Sequence, residues 1–248
     1  FRRHRAGNSR AALFRNANVT AILALETSSA ACSAALSIDG EIVERHALAP
    51  RQHASLLLPM AESLLVEAGL KVTALDACAF GRGPGSFTGV RIAASVIQGI
   101  AFAADLPVVA VSTLAVLAAG GARECGQENI LAALDARKDE VYFAAYRFTA
   151  NGCPVLAAEE VVCAPAAVVI PEDDDWVGVG SGWAAHGEVL AELAPDRVVR
   201  VMPDLEPRAH DVAMLAAVEF LAGHVLDAAE AVPVYLRNNV ADERKRPA

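Results

Sequence analysis

The sequence predicts an α/β protein made of two halves that share the element order βββαβαβα. Three observations support this fold class. Short apolar runs typical of strands alternate with helical apolar spacing from Ala21 onward, and the same order of elements repeats after a Gly- and charge-rich segment at 120–128. Hydrophobic residues make up 54% of the 248 residues, which is enough for a sizeable core. Alternating strands and helices of this kind indicate mixed sheets covered by helices.

In the first half, the Asp39-Gly40 pair predicts a two-residue hairpin, and Ser112 predicts a helix N-cap. Pro59 predicts a kink in its helix or a helix that starts late. The predicted elements are strands at 21–26, 31–38 and 41–48, a helix at 53–68, a strand at 75–80, a helix at 89–104, a strand at 107–111 and a helix ending near 119.

The second half repeats the pattern after the boundary segment, and Asn151-Gly152 predicts another turn. Its predicted elements are strands at 130–135, 140–148 and 155–162, a short helix from 164, a strand at 176–180, a helix at 184–193, a strand at 198–201 and a helix at 210–221. A duplicated βββαβαβα unit is the arrangement of the actin-like (ASKHA, ribonuclease H-like) fold. We therefore predict lobes at 21–122 and 123–226, with a tail at 227–248 that packs back on them and is disordered at its end.

Charge is unevenly distributed along the chain. The net charge is −9, but residues 1–15 hold five arginines and no acid, and the last twelve residues are also rich in basic side chains. The intervening body carries a net charge of −16, which predicts a poor nucleic-acid surface. We expect residues 1–20 to be a disordered basic extension outside the fold.

Cysteine and hydropathy patterns narrow the class of protein further. The five cysteines include no CxxC pair, which disfavours a zinc site or disulfide framework and fits a reducing cytosol. No uncharged apolar run reaches the roughly 18–20 residues of a membrane span. We therefore expect a cytoplasmic location and no membrane partner.

The most distinctive motif is the glycine-rich stretch that links an apolar strand to a helix. It is neither a Walker A loop, nor GxGxxG, nor GxSxG. Free amides at a helix N-terminus could bind an anion. The simpler interpretation is a tight turn set by glycines, with Ser86 or Thr88 as the N-cap. The candidate residues are Gly83, Pro84, Gly85, Ser86, Phe87, Thr88, Gly89 and Arg91.

Glu26 and Asp135 end the first strand of their respective halves. In kinases of the actin-like fold, acids at these positions hold the magnesium–nucleotide beside glycine-bearing phosphate hairpins. Neither hairpin here carries glycine, so these residues are at most vestigial nucleotide positions. The equally simple interpretation is two acids exposed to solvent at strand ends. No histidine pair has HxxxH or HExxH spacing, so we predict no metal site.

Five segments of the chain together carry a family resemblance. They are ILALETSSAACSAALSIDG at 22–40, HASLLLPMAESLL at 53–65, GRGPGSFTGVRIA at 81–93, ALDARKDEVYFAAY at 133–146 and PVYLRNNVA at 233–241. From about residue 21 to 241, the chain resembles the TsaB (YeaZ) family of bacterial tRNA threonylcarbamoyladenosine biosynthesis proteins. The block GPGSFTGVRIA is the most specific part of the resemblance.

The resemblance implies the actin-like fold and a role in making N6-threonylcarbamoyladenosine at position 37 of ANN-reading tRNAs. It implies a non-catalytic scaffold without a cofactor. That scaffold would pair with a catalytic TsaD-like paralogue, and a TsaE-like ATPase would complete the complex. A homodimer is possible when the paralogue is absent, and tRNA would be reached only through the complex.

The metal site of the paralogue offers a check on the non-catalytic role. Its HxxxH histidines align with Thr113 and Leu117, and its aspartate ligand aligns with His210, beside Asp211. Threonine and leucine cannot replace imidazole ligands. The alternatives are an actin-like ATP-binding protein or small-molecule kinase, which needs glycine phosphate hairpins, and a metallopeptidase, which needs HxxxH.

The helices at 53–68 and 89–104 are apolar on more than one face, which predicts a partner interface. The resemblance implies a four-helix bundle with the paralogue or with a second copy. We expect small residues to permit close helix approach, and a charge placed at Ala94 or Ala101 to prevent pairing. The predicted interface residues are Leu57, Met60, Leu64, Ala93, Ala94, Ile97 and Ala101.

Overall fold

A computed structural model describes residues 20–149 and 152–237. The predicted extension at 1–20, the Asn151-Gly152 turn and the end of the predicted tail lie wholly or partly outside the described residues. Within them the chain forms ten β-strands and five α-helices. In chain order these are β1 (Ala21–Glu26), β2 (Ala31–Ile38), β3 (Glu41–Leu48), α1 (His53–Ala68), β4 (Ala77–Gly81), α2 (Phe87–Ala104), β5 (Val108–Val111), α3 (Thr113–Cys125), β6 (Asn129–Asp135), β7 (Val141–Phe148), β8 (Pro154–Cys163), β9 (Trp176–Val179), α4 (Ser181–Glu192), β10 (Val198–Met202) and α5 (Ala209–Leu221).

The strands form two five-stranded sheets with the same topology. The N-terminal sheet has the order β3-β2-β1-β4-β5, and the C-terminal sheet has the order β10-β9-β6-β7-β8. In each sheet the first three strands are antiparallel neighbours, and the last two are parallel to the first. The duplicated, mixed-sheet α/β arrangement predicted from the sequence is therefore confirmed.

The two sheets enclose a layer made of α3 and α5. Helix α5 packs on the strands of the N-terminal sheet, whereas α3 packs on the C-terminal sheet. One hydrophobic cluster runs through both inner sheet faces and both helices. Helices α1 and α2 cover the outer face of the N-terminal sheet, and α4 covers the outer face of the other. Each half therefore supplies the helix that covers the inner face of the other half's sheet.

Several element bounds differ from the prediction for local physical reasons. Helix α1 begins at His53, ahead of Pro59, so the predicted late start is wrong. Helix α3 runs beyond residue 119 through Gly120 and Gly121 to Cys125, and both glycines are buried in tightly packed surroundings. The short helix predicted from residue 164 is a single 3₁₀ turn, Pro165–Ala167.

Helix α2 is long and apolar enough, by length and composition, to cross a membrane. This is weak support for a span, because a helix packed on a sheet passes the same test. One face of α2 is buried on the N-terminal sheet, and Ser86 caps its first turn. The apolar composition of α2 is better explained by its two sides, one buried on the N-terminal sheet and the other exposed.

Candidate functional site

The glycine-rich loop joins β4 to α2 and packs against the residues that follow β1. Ser86 caps α2 by accepting a hydrogen bond from the Gly89 amide at 3.4 Å, as predicted, whereas Thr88 is exposed. The Ser86 amide donates to the Ser28 carbonyl oxygen at 2.7 Å. The Thr27 hydroxyl donates to the Gly89 carbonyl oxygen at 2.8 Å. The loop is therefore bound to the chain's own backbone.

Two glycines of the loop allow this close approach. A Cβ at Gly85 would lie 2.7 Å from the Ser28 carbonyl oxygen, and a Cβ at Gly89 would lie 1.9 Å from that of Thr27. Glycine is needed at both positions because the backbone of Thr27 and Ser28 contacts the loop there. That backbone also fills the space beside the loop. Gly83 has φ +99°, a conformation that favours glycine.

Glu26 is buried at the end of β1, so the interpretation of Glu26 as an acid exposed to solvent is wrong. One carboxylate oxygen accepts a hydrogen bond from the Ser28 amide, and the other has no hydrogen-bond partner. That second oxygen lies against Gly81, where a Cβ would be 1.8 Å away. Burial raises the pKa of the Glu26 carboxyl. A carboxyl enclosed in this way is a poor ligand for magnesium, which needs open, accessible oxygen ligands.

Asp135 occupies the equivalent position in the C-terminal sheet and remains partly exposed. Its carboxylate accepts a hydrogen bond from the Arg137 amide at 2.8 Å and pairs with the Arg137 guanidinium at 3.0 Å. The turn that follows has positive φ at Arg137, Lys138 and Asp139. Three consecutive non-glycine residues in this conformation are unusual and costly for L-amino acids.

The positions aligned with the paralogue's metal ligands do not form a site. The Thr113 hydroxyl accepts a hydrogen bond from the Gly83 amide at 3.2 Å, and Leu117 packs against Gly180 in the core. Asp211 instead pairs with Arg123, ten residues further along α3 than Thr113. That separation is about 15 Å along a helix. Within residues 20–149 and 152–237, no three His, Cys, Asp or Glu side chains are grouped as metal ligands would be.

Asp211 lies on the first turn of α5 and is almost fully buried. Burial favours its neutral form, but His210 and the two hydrogen bonds from Arg123 outweigh burial and hold the pKa of Asp211 below its usual range. This charged pair connects α3 to α5. It is a structural contact between the two halves.

Six of the seven predicted interface residues are core residues, so that part of the prediction is wrong. Leu57, Leu64, Ala93, Ala94, Ile97 and Ala101 are buried between the two helices and the N-terminal sheet, and Met60 is half-buried. A charge at Ala94 or Ala101 would therefore disrupt the fold itself. The opposite sides of α1 and α2 form an outer helix face, defined here by Pro59, Val66, Ile92, Ser95, Gly99 and Phe102.

The residues that define the outer helix face are apolar or small, and the exposed side of α1 also carries Glu62 and Glu67. Phe102 is 81% exposed, and Val66 is 74% exposed. Ile92 is half-buried, and a Cβ added at Gly99 would meet no other atom within 4 Å. Exposed apolar side chains on two adjacent helices are typical of a protein–protein interface.

One network of polar contacts and one groove connect the two halves, and neither was predicted from the sequence. Tyr146 on β7 donates a hydrogen bond to Glu160 on β8 at 2.8 Å, and Glu160 pairs with Arg82 of the glycine-rich loop at 3.8 Å. Burial raises the pKa of Tyr146. A groove of about 420 Å³ lies between the end of β3 and the segment after β10, with Glu124, Asp204 and Glu206 in its lining. These residues come from distant parts of the chain, so no local pattern marks them.

Comparison with known proteins shows which family the chain resembles. The TsaD family profile, described as tRNA N6-adenosine threonylcarbamoyltransferase, matches residues 43–245. The tRNA threonylcarbamoyladenosine biosynthesis protein TsaB of Escherichia coli (strain K12) is 42% identical over 89% of this chain and 96% of its own length. Its counterpart from Haemophilus influenzae is 39% identical over 88% of this chain and 94% of its own length. The chain belongs to the TsaB (YeaZ) family.

A solved structure of a TsaB-family protein agrees with this assignment. YeaZ from Pseudomonas aeruginosa superposes with a TM-score of 0.82 at 47% sequence identity, covering 88% of this chain and all of that one. The actin-like fold predicted from the sequence is thereby confirmed. The match to the TsaD profile also confirms that TsaB-family chains are similar to the threonylcarbamoyltransferase family.

Proposed function

We propose that this TsaB-family chain serves tRNA threonylcarbamoyladenosine biosynthesis as a non-catalytic partner subunit. In this proposal a TsaD-like paralogue transfers the threonylcarbamoyl group, and a TsaE-like ATPase completes the complex. The chain acts in the cytoplasm, reaches tRNA only through the complex and pairs with a second copy of itself when the paralogue is absent. Its relatives from Escherichia coli and Haemophilus influenzae are named for the same pathway.

The outer helix face is the observation that most supports a role as a partner subunit. An isolated domain normally presents charged residues on the exposed side of a surface helix. Here the exposed residues after the first two turns of α2 are Ser95, Gly99, Phe102 and Ala103, and none of them is charged. Small residues at 95 and 99 would let a partner helix approach closely. An apolar, close-fitting surface of this kind favours a protein partner over a small molecule.

The glycine-rich loop supports a non-catalytic role. In kinases of this fold, a glycine-bearing hairpin leaves room for phosphates. Here Thr27 and Ser28 occupy the space beside Gly85 and Gly89, and the Glu26 carboxyl is enclosed beneath Gly81. These contacts disfavour the alternative of an ATP-binding protein or small-molecule kinase.

Arginine substitutions at two helical glycines test the proposed partner surface. Gly99→Arg adds a charge to the outer helix face, and Gly187→Arg adds the same side chain to α4; neither glycine has an atom within 4 Å of an added Cβ. We expect Gly99→Arg to reduce co-elution with the TsaD-like paralogue at least tenfold, because an unpaired charge in an interface is costly. Gly187→Arg should pair normally.

The control for this experiment is the fold of each variant. Both should keep the circular dichroism spectrum and melting temperature of the unaltered chain, because both glycines face open space. Normal pairing by Gly99→Arg would place the interface elsewhere. Failure of the unaltered chain to pair with the paralogue would refute the partner-subunit role.

A further inference from the structure

The segment before residue 237 brings three distant parts of the chain together. The Val234 amide donates to the Arg82 carbonyl oxygen at 2.8 Å, beside the glycine-rich loop. The Arg237 guanidinium donates to the Ala136 carbonyl oxygen at 3.1 Å and pairs with Glu140, at the turn after β6. The surface where loop, tail and turn meet is called the tail junction here.

Aromatic rings and a guanidinium lie together at one end of the tail junction. The Phe87 and Tyr235 rings have centroids 6.0 Å apart, and the rings are 57% and 43% exposed. The Arg91 guanidinium lies 3.2 Å from the Phe87 ring centroid and 5.1 Å from that of Tyr235. Exposed rings and guanidinium planes of this kind stack with unpaired nucleobases.

Basic side chains continue from the rings along the tail to the turn after β6. They are Arg82, Arg91, Arg137, Lys138 and Arg237. Arg82 pairs with Glu160, Arg137 with Asp135 and Arg237 with Glu140, and Asp139 belongs to the same turn as Arg137. Arg91 instead lies against the Phe87 and Tyr235 rings. Arginines grouped in this way can bind phosphates, although the net charge of the chain is −9.

The turn after β6 holds an unusual backbone conformation, which is a separate observation. Arg137, Lys138 and Asp139 all have positive φ, and the Arg137 side chain is 86% exposed. The surrounding contacts maintain this strained conformation: Asp135 accepts from the Arg137 amide, and Arg237 binds Ala136 and Glu140. Strain kept in place in this way is concentrated at functional sites, where it orients side chains.

We propose that the tail junction is an RNA-contacting surface, which binds phosphates through Arg91 and Arg137 and stacks unpaired bases on Tyr235 and Phe87. This inference rests on the proposed function, because it assigns the surface to the tRNA held by the complex. The acids that pair with three of these arginines make the contact weak for the chain alone. The contact becomes significant when the partner subunit supplies the remaining affinity.

The test uses the complex of this chain with its TsaD-like partner and an unmodified transcript of an ANN-reading tRNA. Binding is measured by fluorescence anisotropy between about 50 and about 200 mM salt. We expect the double variant Arg91→Gln/Arg137→Gln to weaken tRNA binding about tenfold and to reduce the salt-dependence slope by about two, one for each lost phosphate contact. Tyr235→Leu should weaken binding about fivefold and leave the slope unchanged, because stacking releases few counterions.

Arg200→Gln is the matched control, since Arg200 is an exposed arginine on β10, outside the junction. Co-elution with the partner is measured for every variant. Junction variants that pair normally but bind tRNA like Arg200→Gln would overturn the proposal. Loss of pairing would also overturn it and would identify a protein-docking surface instead. An unaltered chain that does not pair with the partner would contradict the proposed function itself.

Discussion

Glu26 and Gly81 fit together across neighbouring strands of the N-terminal sheet. The carboxyl of Glu26 occupies the space that any larger residue at position 81 would need. Enclosure by the sheet, rather than a nearby charge, is the main reason that its pKa is raised. The folded chain therefore keeps a proton on Glu26 at pH values where the unfolded chain has lost it.

The higher pKa of Glu26 in the folded chain predicts that stability depends on pH. The Glu26→Gln substitution should remove this dependence. For a raised pKa, the stabilising contribution is fully present below the unfolded value, about 4.3, and is lost as pH rises toward the folded value. We expect the unfolding free energy of the unaltered chain to fall relative to Glu26→Gln by about 1.4 kcal/mol per pH unit over that window. Urea unfolding at a series of pH values measures it. A difference that stays constant with pH would contradict the raised pKa.

Gly89 is expected to tolerate no side chain, because its neighbour is backbone. Gly89→Ala should destabilise the chain by about 1–3 kcal/mol, as overpacking does, since the new Cβ would overlap the Thr27 carbonyl oxygen. Gly99→Ala, in the same helix with open space around it, should instead stabilise by up to about 1 kcal/mol. Urea unfolding of both variants provides the comparison. Equal effects of the two substitutions would show that the loop can move away from β1.

Helix α5 receives its N-terminal hydrogen bonds from the other half of the molecule. The Ala209 amide donates to the Ser33 hydroxyl at 2.9 Å, and the His210 amide donates to the Glu44 carboxylate at 3.1 Å. Arg208, the residue at the N-cap position, supplies no side-chain cap of its own. The start of α5 is thus capped by β2 and β3, which fixes the helix on the N-terminal sheet.

The Arg123–Asp211 pair should be the most costly ionic contact to break. Arg123→Gln would leave the buried Asp211 carboxylate without its guanidinium, and we expect a loss of about 3 kcal/mol at pH 7. Because the pKa of Asp211 is lowered, the pair stabilises the fold above the unfolded value of about 3.9, and this contribution is lost as pH falls through the folded value. The deficit of Arg123→Gln should therefore shrink in acid.

Arg45→Gln is the matched control for this pair, measured by the same urea unfolding. The Arg45 partner, Glu67, is exposed, so this substitution should change stability by less than about 1 kcal/mol. A similar small effect of Arg123→Gln would mean that His210 alone compensates the buried carboxylate.

The exchange of α3 and α5 between the two sheets makes the molecule one folding unit. Without α5 the inner face of the N-terminal sheet would be exposed, and without α3 the C-terminal sheet would be. We expect a single unfolding transition in urea. Both tryptophans, Trp176 and Trp183, lie in the C-terminal half, so their fluorescence monitors that half, whereas far-ultraviolet circular dichroism monitors both. Coincident midpoints are expected, and separated midpoints would show that the halves unfold independently.

Local patterns in the sequence determined the element types, their order and the family. Apolar periodicity is a property of neighbouring residues, so it marks strands and helices wherever they pack. The Ser86 cap and the mixed sheets were predictable for this reason, and the block from Gly83 to Ala93 carried the resemblance. The apolar content of α1 and α2 also showed that these helices have more than one apolar face.

Only the tertiary structure decided which of those faces is buried and which distant residues meet. Ala94 and Ala101 were predicted at an interface but lie in the core, because the orientation of a helix depends on the sheet beneath it. The burial of Glu26, the pairing of Arg123 with Asp211 and the tail junction join residues 55 to more than 100 positions apart. Such contacts arise from strand pairing within a sheet and from packing between the two halves, and contacts between residues so far apart leave no periodic signal in the sequence.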